Sequence, residues 1–317
     1  MFDRILVPTD GSARADEAIA VARQMAEREG SRLVLLRVEA EREAVEEVVA
    51  ANAAIEARVS ELRGQGINTE ARFEYGQAES GIPASALREG ATLILMAPHH
   101  RNLLQALIHP SVTRRVIAHA PAPVLVWPEG LPATAYADLL AAPNSAVIVP
   151  LDGSEEAEHA LSLAVAYAKH YDRLLLVVRV LVPPPLIGVA DAYMLEAESQ
   201  EREEREARAY LSTLRKRLAR AHGIAVQTML AGGNAGEEIA RVAAAHDGSL
   251  IVMSTHGRGG IARVFPVGVV AKLMQDSSVP LIVTPPQIEA LATVEEPVVV
   301  EADVITPALS TPVASAT

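Results

Sequence analysis

The stretch MSTHGRGGIARVFPVGVV, Met253 to Val270, is where this sequence comes nearest to chemistry. Gly257, Gly259 and Gly260 follow an apolar run and precede a helical pattern. Glycines there allow close backbone approach and positive φ, and amides at a helix start attract anions, so the pattern suits a seat for phosphates. Within the HGRGG run, His256 and Arg258 would stand beside any anion so held. At the corresponding place in the first part of the chain, MAPHHRNLLQALIHPSVT from Met96 to Thr113 has no glycine. A triphosphate seat is therefore expected at most once in the chain.

Other reactive side chains make weaker sets. Two Asp-Gly-Ser triplets, beginning at Asp10 and Asp152, each follow a short apolar run. Two readings stay open for them: a turn with a helix cap, or a carboxylate at a strand end that faces a ligand. His99, His100 and His109 bring no acid or cysteine close in sequence, and a zinc site needs three or four converging ligands, so no metal is assigned. Ser12 and Ser154 have no histidine nearby and no Gly-x-Ser-x-Gly elbow, and a Walker lysine at the required spacing is missing. No catalytic set results. Slow ATP hydrolysis would need a metal and a positioned water that the sequence does not identify.

These residues are placed by a unit written twice. RILVPTDGSARADEAIAVARQMA near the start returns as AVIVPLDGSEEAEHALSLAVAYA from Ala146, without gaps. GQAESGI at Gly76 answers GNAGEEI at Gly233, LILM at Leu93 answers LIVM at Leu250, and APAPVLVWP at Ala120 answers SSVPLIVTP at Ser277. The second copy carries a 15-residue insertion around Pro183 to Pro185 and the charged helix after them. In the first copy, strands are expected at Ile5 to Pro8, Leu33 to Val38, Thr69 to Tyr75, Leu93 to Ala97 and Val124 to Trp127, with helices between. The first helix would be capped by Asp10 or Ser12 and stopped at Gly30, and its counterpart would end near His170. Apolar strands joined by helices predict a parallel sheet covered on both faces. The fold class is α/β, with two tandem Rossmann-like (doubly wound) domains, each a five-stranded parallel sheet flanked by helices. The expected boundaries are domain 1 at 1–128, a Pro- and Ala-rich linker at 129–145, domain 2 at 146–286 and a disordered acidic tail at 287–317. Within that tail, VVVEADVI could still add a strand to a neighbouring sheet.

Composition limits the function classes. With 50% hydrophobic but only 3% aromatic residues, the cores must be built from Ala, Val, Leu and Ile. A formal charge of −12 argues against a general nucleic-acid surface, which requires clustered Lys and Arg. The basic cluster from Arg215 to Arg220 is read instead as the C-terminal end of a solvated helix. Leu174 to Leu195 is apolar for nearly the length of a membrane span, yet Arg179, Asp191 and three consecutive prolines prevent continuous helix, so it is read as strand plus loop. Asp3 and Arg4 stand where a secretory signal would need an apolar core, and the chain has no cysteine, so a cytoplasmic location is expected.

Taken together, ILVPTDGS and VIVPLDGS opening the copies, the Gly-plus-Ile signature before the third helix, LIVMSTHGRGG at the fourth strand and the closing APAPVLV resemble the universal stress protein family, here as a tandem pair from Met1 to Pro286. The resemblance implies a stress-response role, frequent dimerisation and, in one branch, ATP binding. It implies that the β1 Asp, here Asp10 or Asp152, faces ribose, and that Val38 or Val180 at the β2 end contacts adenine. Phosphates would be held by the pattern Gly, two residues, Gly, nine residues, then Gly followed by Ser or Thr. In the second copy that pattern falls on Ser254, Gly257, Val267 and Gly268, so one glycine of three is in place. A slip of one residue brings in Gly268. In the first copy it falls on Ala97, His100, Pro110 and Ser111, a degenerate site. ATP or AMP is thus expected only in domain 2, with magnesium only alongside ATP, while domain 1 is a scaffold. The resemblance also favours an internal pseudo-dimer through PVLVWP and PLIVTP, or a homodimer. The alternative is a protein of assembly or partner binding with both pockets vestigial.

Overall fold

Strand-length apolar runs in which every residue is buried require a sheet covered on both faces. The structure, a computed structural model, describes residues 1–39, 45–98, 112–142, 145–183, 190–246, 249–254, 269–276 and 278–285. The first repeat runs β1 (Arg4–Pro8), α1 (Ala13–Glu29), β2 (Arg32–Glu39), α2 (Val45–Gly64), β3 (Thr69–Tyr75), α3 (Ala78–Arg88), β4 (Leu93–Met96), α4 (Val112–His119) and β5 (Val124–Val126). A short helix, α5 (Ala135–Ala141), lies in the linker. The second repeat follows as β6 (Ala146–Pro150), α6 (Glu155–Glu158), α7 (Ala160–His170), β7 (Leu174–Leu181), α8 (Ala190–His222), β8 (Val226–Gly232), α9 (Ala235–Ala244), β9 (Leu250–Ser254), α10 (Val269–Asp276) and β10 (Leu281–Thr284).

All the described strands share one ten-stranded sheet in the order β3-β2-β1-β4-β5-β10-β9-β6-β7-β8. Pairing is parallel inside each repeat and antiparallel where β5 meets β10. The two five-stranded parallel sheets expected from the sequence are therefore continuous. Alternate residues of one strand feed opposite cores: Ile5 and Val7 join the layer with α1, α2, α5, α7 and α8, while Leu6 joins the layer with α3, α4, α9 and α10.

The ends of α1 follow from local chemistry. The Ser12 hydroxyl accepts from the Ala15 amide at 3.2 Å, and Gly30, at φ 72°, donates its amide to Ala26 O at 2.9 Å. One expectation is corrected. Ala190 to Leu195, read as loop, belongs to the first turns of α8, because nothing from Ala190 to His222 breaks a helix. The insertion in the second repeat accordingly shows as helix length, 33 residues in α8 against 20 in α2.

The tail from 286 onward, including VVVEADVI, and the glycine-bearing stretch 255–268 lie outside the described residues. Among those described, no helix is long and apolar enough to cross a membrane.

Candidate functional site

In an open parallel sheet, ligands bind beyond the carboxyl ends of the strands where the strand order reverses. Here that point falls twice. β1 lies between β2 and β4, and β6 lies between β7 and β9. One further ladder bond past each first strand, Thr9 N to Leu36 O and Leu151 N to Val178 O, both 2.8 Å, fixes where the following aspartate leaves the sheet.

The turns are built alike. Gly11 at φ 78° and Gly153 at φ 84° take the left-handed conformation that reverses the chain. Asp10 Oδ1 accepts from the Ser12 amide at 2.9 Å. Asp152 Oδ1 accepts from the Ser154 amide at 3.0 Å and from the Ser154 hydroxyl at 2.5 Å, while Ser154 caps α6 through the Ala157 amide at 3.2 Å. Each aspartate thus holds its own turn, as the capping alternative requires. A carboxylate offers about four lone-pair sites, so this role and a ligand role are compatible.

By strand register, Val180, half-buried in β7, and Ser254, buried as the last residue of β9, end on the same carboxyl edge as Asp152. By the same register, Val38 and the half-buried Ala97 end on the edge that carries Asp10. Val38 also packs closely against α3, since a Cβ on Gly81 of that helix would lie 3.1 and 3.2 Å from its two methyl groups. The repeat places Glu238 opposite Gly81, and in α9 the close approach moves to Gly236, where a Cβ would lie 2.8 Å from Cγ of Lys272. His100, Pro110 and Ser111 of the degenerate site, and His256, Gly257, Arg258 and Gly268 of the second, lie outside the described residues, as do His99 and His109.

Two charged groups beside these edges were not singled out from the sequence. Arg37, in β2, donates to Asp10 O at 3.5 Å, and its Nε lies 3.8 Å from Glu39, whose carboxylate is fully buried. In the second repeat Leu181 replaces Glu39, and Arg179 lies under the Tyr210 ring at 5.6 Å. Tyr210 donates to Glu158 at 2.6 Å, and Arg217 does so at 2.5 Å, tying α8 to α6. Burial, and then the Glu158 carboxylate, hold the Tyr210 phenol well above its usual pKa. The signal was present: an arginine recurs at the same position of two mainly apolar strands, LLRVE and VVRVL. Among the described residues, no three His, Asp or Glu side chains converge as a metal site.

Comparison with known proteins agrees with this architecture. The model of the universal stress protein family matches residues 1–128 and 144–285. A universal stress protein of Methanocaldococcus jannaschii is 26% identical over 139 residues, 43% of this chain and 79% of that relative. Among solved structures, a universal stress protein from Archaeoglobus fulgidus DSM 4304 superposes with TM-score 0.67 at 17% identity, covering 90% of this chain and 97% of that one. A functionally unknown protein from Pseudomonas aeruginosa PAO1 does so with TM-score 0.61 at 20% identity, covering 90% and 93%. At these identities the two structures bear on the fold.

Proposed function

This chain belongs to the universal stress protein family, and on that premise we propose that it is a cytoplasmic stress-response protein whose second repeat takes an adenine nucleotide while the first serves as scaffold. The observation that carries the reading is the convergence of Asp152, Val180 and Ser254 on one carboxyl edge, at the strand-order reversal between β6 and β9. In this reading Asp152 faces ribose or a metal ion, and Val180 faces the base. Gly257 and the Gly268 region, with His256 and Arg258 beside them, hold phosphate, and magnesium enters only with ATP. The first repeat offers Asp10, Val38 and Ala97 at its own edge but has His100 and Pro110 where backbone donors are wanted. We assign no catalytic role.

Calorimetric titration of the full chain with ATP and with AMP tests the proposal. Saturable binding is expected, weakened at least tenfold by Asp152→Ala and by Gly257→Val. An absence of heat up to millimolar nucleotide overturns it. The second reading, assembly or partner binding with both sites vestigial, draws on the engagement of both aspartates in their own turns. It predicts that protein purified gently releases no nucleotide.

A further inference from the structure

The repeat and the sheet together locate a pseudo-two-fold axis. The spacing of 142 residues from Pro8 to Pro150 aligns Glu29 with Tyr171 and Arg28 with His170; the spacing of 157 from Gly76 to Gly233 aligns Leu125 with Ile282. Leu125 and Ile282 are partners in the antiparallel β5–β10 pair, flanked symmetrically by Val124 with Val283 and Val126 with Leu281. Equivalent residues of two copies sit directly opposite one another only at the axis relating them. In the helical layer the same occurs at Glu29 and Tyr171, where the Tyr171 hydroxyl donates to Glu29 Oε1 at 2.7 Å.

The surroundings of this second pair are complementary rather than symmetric. Glu29 Oε2 lies 2.9 Å from His170 Nε2 and accepts from the Met1 amine at 2.9 Å. The Arg28 guanidinium lies over the Tyr171 ring at 5.7 Å, and the Tyr136 hydroxyl of α5 is 3.5 Å from that of Tyr171. The Glu29 side chain is only 5% exposed, so what meets it matters.

At such an axis, pairing like with like sets each residue against itself. Two first repeats from separate copies would bring Glu29 against Glu29 in a buried place. Arg28 of the second copy would stand where His170 stands now and offset part of that repulsion, but the phenolic donor would be gone. Two second repeats would bring Tyr171 against Tyr171 and remove the carboxylate that the Tyr171 hydroxyl, His170 and the Met1 amine now share. We propose that Glu29 and Tyr171, with Arg28 and His170 beside them, are the pairing code that makes each repeat take the other as partner and reject its own kind in a second copy.

The test uses the full chain with Y171E, E29Y, the exchange E29Y/Y171E, and Y171F as a control. Y171E puts two carboxylates on the axis and should lower the melting temperature by more than about 5 °C. Y171F, which loses one hydroxyl, should lower it by about 2 °C. The exchange restores one acid and one phenol across the axis and should recover at least half of the Y171E loss. Where Y171E does not fold, a folded exchange variant supports the code and an unfolded one overturns it. After refolding at high protein concentration, light scattering should show more two-chain species for E29Y, whose axis carries like residues whichever repeats meet, than for wild type or the exchange. The proposal is overturned if Y171E is no less stable than Y171F, if the exchange loses as much as both single changes together, or if all variants refold to one mass distribution.

Discussion

Asp152, Gly153 and Ser154 each play a separate part within three residues. Glycine alone takes φ 84° without strain, the serine hydroxyl satisfies the Ala157 amide, and the aspartate accepts from the serine. Gly153→Ala should therefore cost about 1 kcal/mol through left-handed strain, and Ser154→Ala a similar amount, about 1 kcal/mol, through the lost cap. Urea unfolding followed by the fluorescence of Trp127 reads both. That residue is the single tryptophan of the chain, fully buried, with its Nε1 donating to Leu131 O at 2.8 Å. A midpoint unchanged in both variants would show that the triplet is not held by these bonds. The motif was legible because its chemistry is local: each donor lies within three residues of its acceptor. Arg37, Glu39, Arg179 and Tyr210 were not read as a group. The ring over Arg179 arrives from 31 positions away, and no local pattern announces such a contact.

Comparison of the repeats, element by element, shows where one copy has kept a stabilising device that the other lacks. Asn234 caps α9, its side chain accepting from the Glu237 amide at 3.3 Å, while the equivalent Gln77 has extended backbone, at φ −94° and ψ 129°, and makes no side-chain cap to α3. Gln77→Asn should stabilise the chain by about 0.5–1 kcal/mol, since asparagine is among the best N-cap residues and the backbone already has the required shape. A raised urea midpoint with unchanged slope would bear this out, and a lowered midpoint would count against it. The strands of the first repeat and both ends of α1 match the expected bounds within a residue or two, because four of the five strands are short, largely buried runs, β3 being partly exposed, and α1 keeps a helical period. The start of α8 was missed because the apolar run after Pro185 has the same hydropathy as the strand before it, and hydropathy alone does not separate them. The proposed phosphate seat was legible only as spacing, and its Gly257 and Gly268 lie outside the described residues, whereas Asp152 and Val180 have positions.

For the whole molecule, the continuous sheet makes the two repeats one folding body, and the axis at Glu29 is where that body meets acid. Burial alone would raise the Glu29 pKa, but the Tyr171 hydroxyl, the Met1 amine and the neighbouring His170 outweigh it and hold the carboxyl below its ordinary value of 4.5. Arg28, over the Tyr171 ring, and the Tyr136 hydroxyl complete the set of groups around it. A carboxyl with a depressed folded pKa binds fewer protons folded than unfolded, so its contribution is fully present above pH 4.5 and is lost as pH falls through the folded value. Glu29→Gln removes that charge and leaves the Met1 amine without its counter-ion. The variant should melt below wild type at pH 7, and the gap should narrow steadily once the pH drops under 4.5. Melting curves of both proteins from pH 7 down to about pH 3 measure it directly. A gap of constant size across that range would mean that Glu29 stabilises the axis by shape and hydrogen bonding alone, with no contribution from its charge.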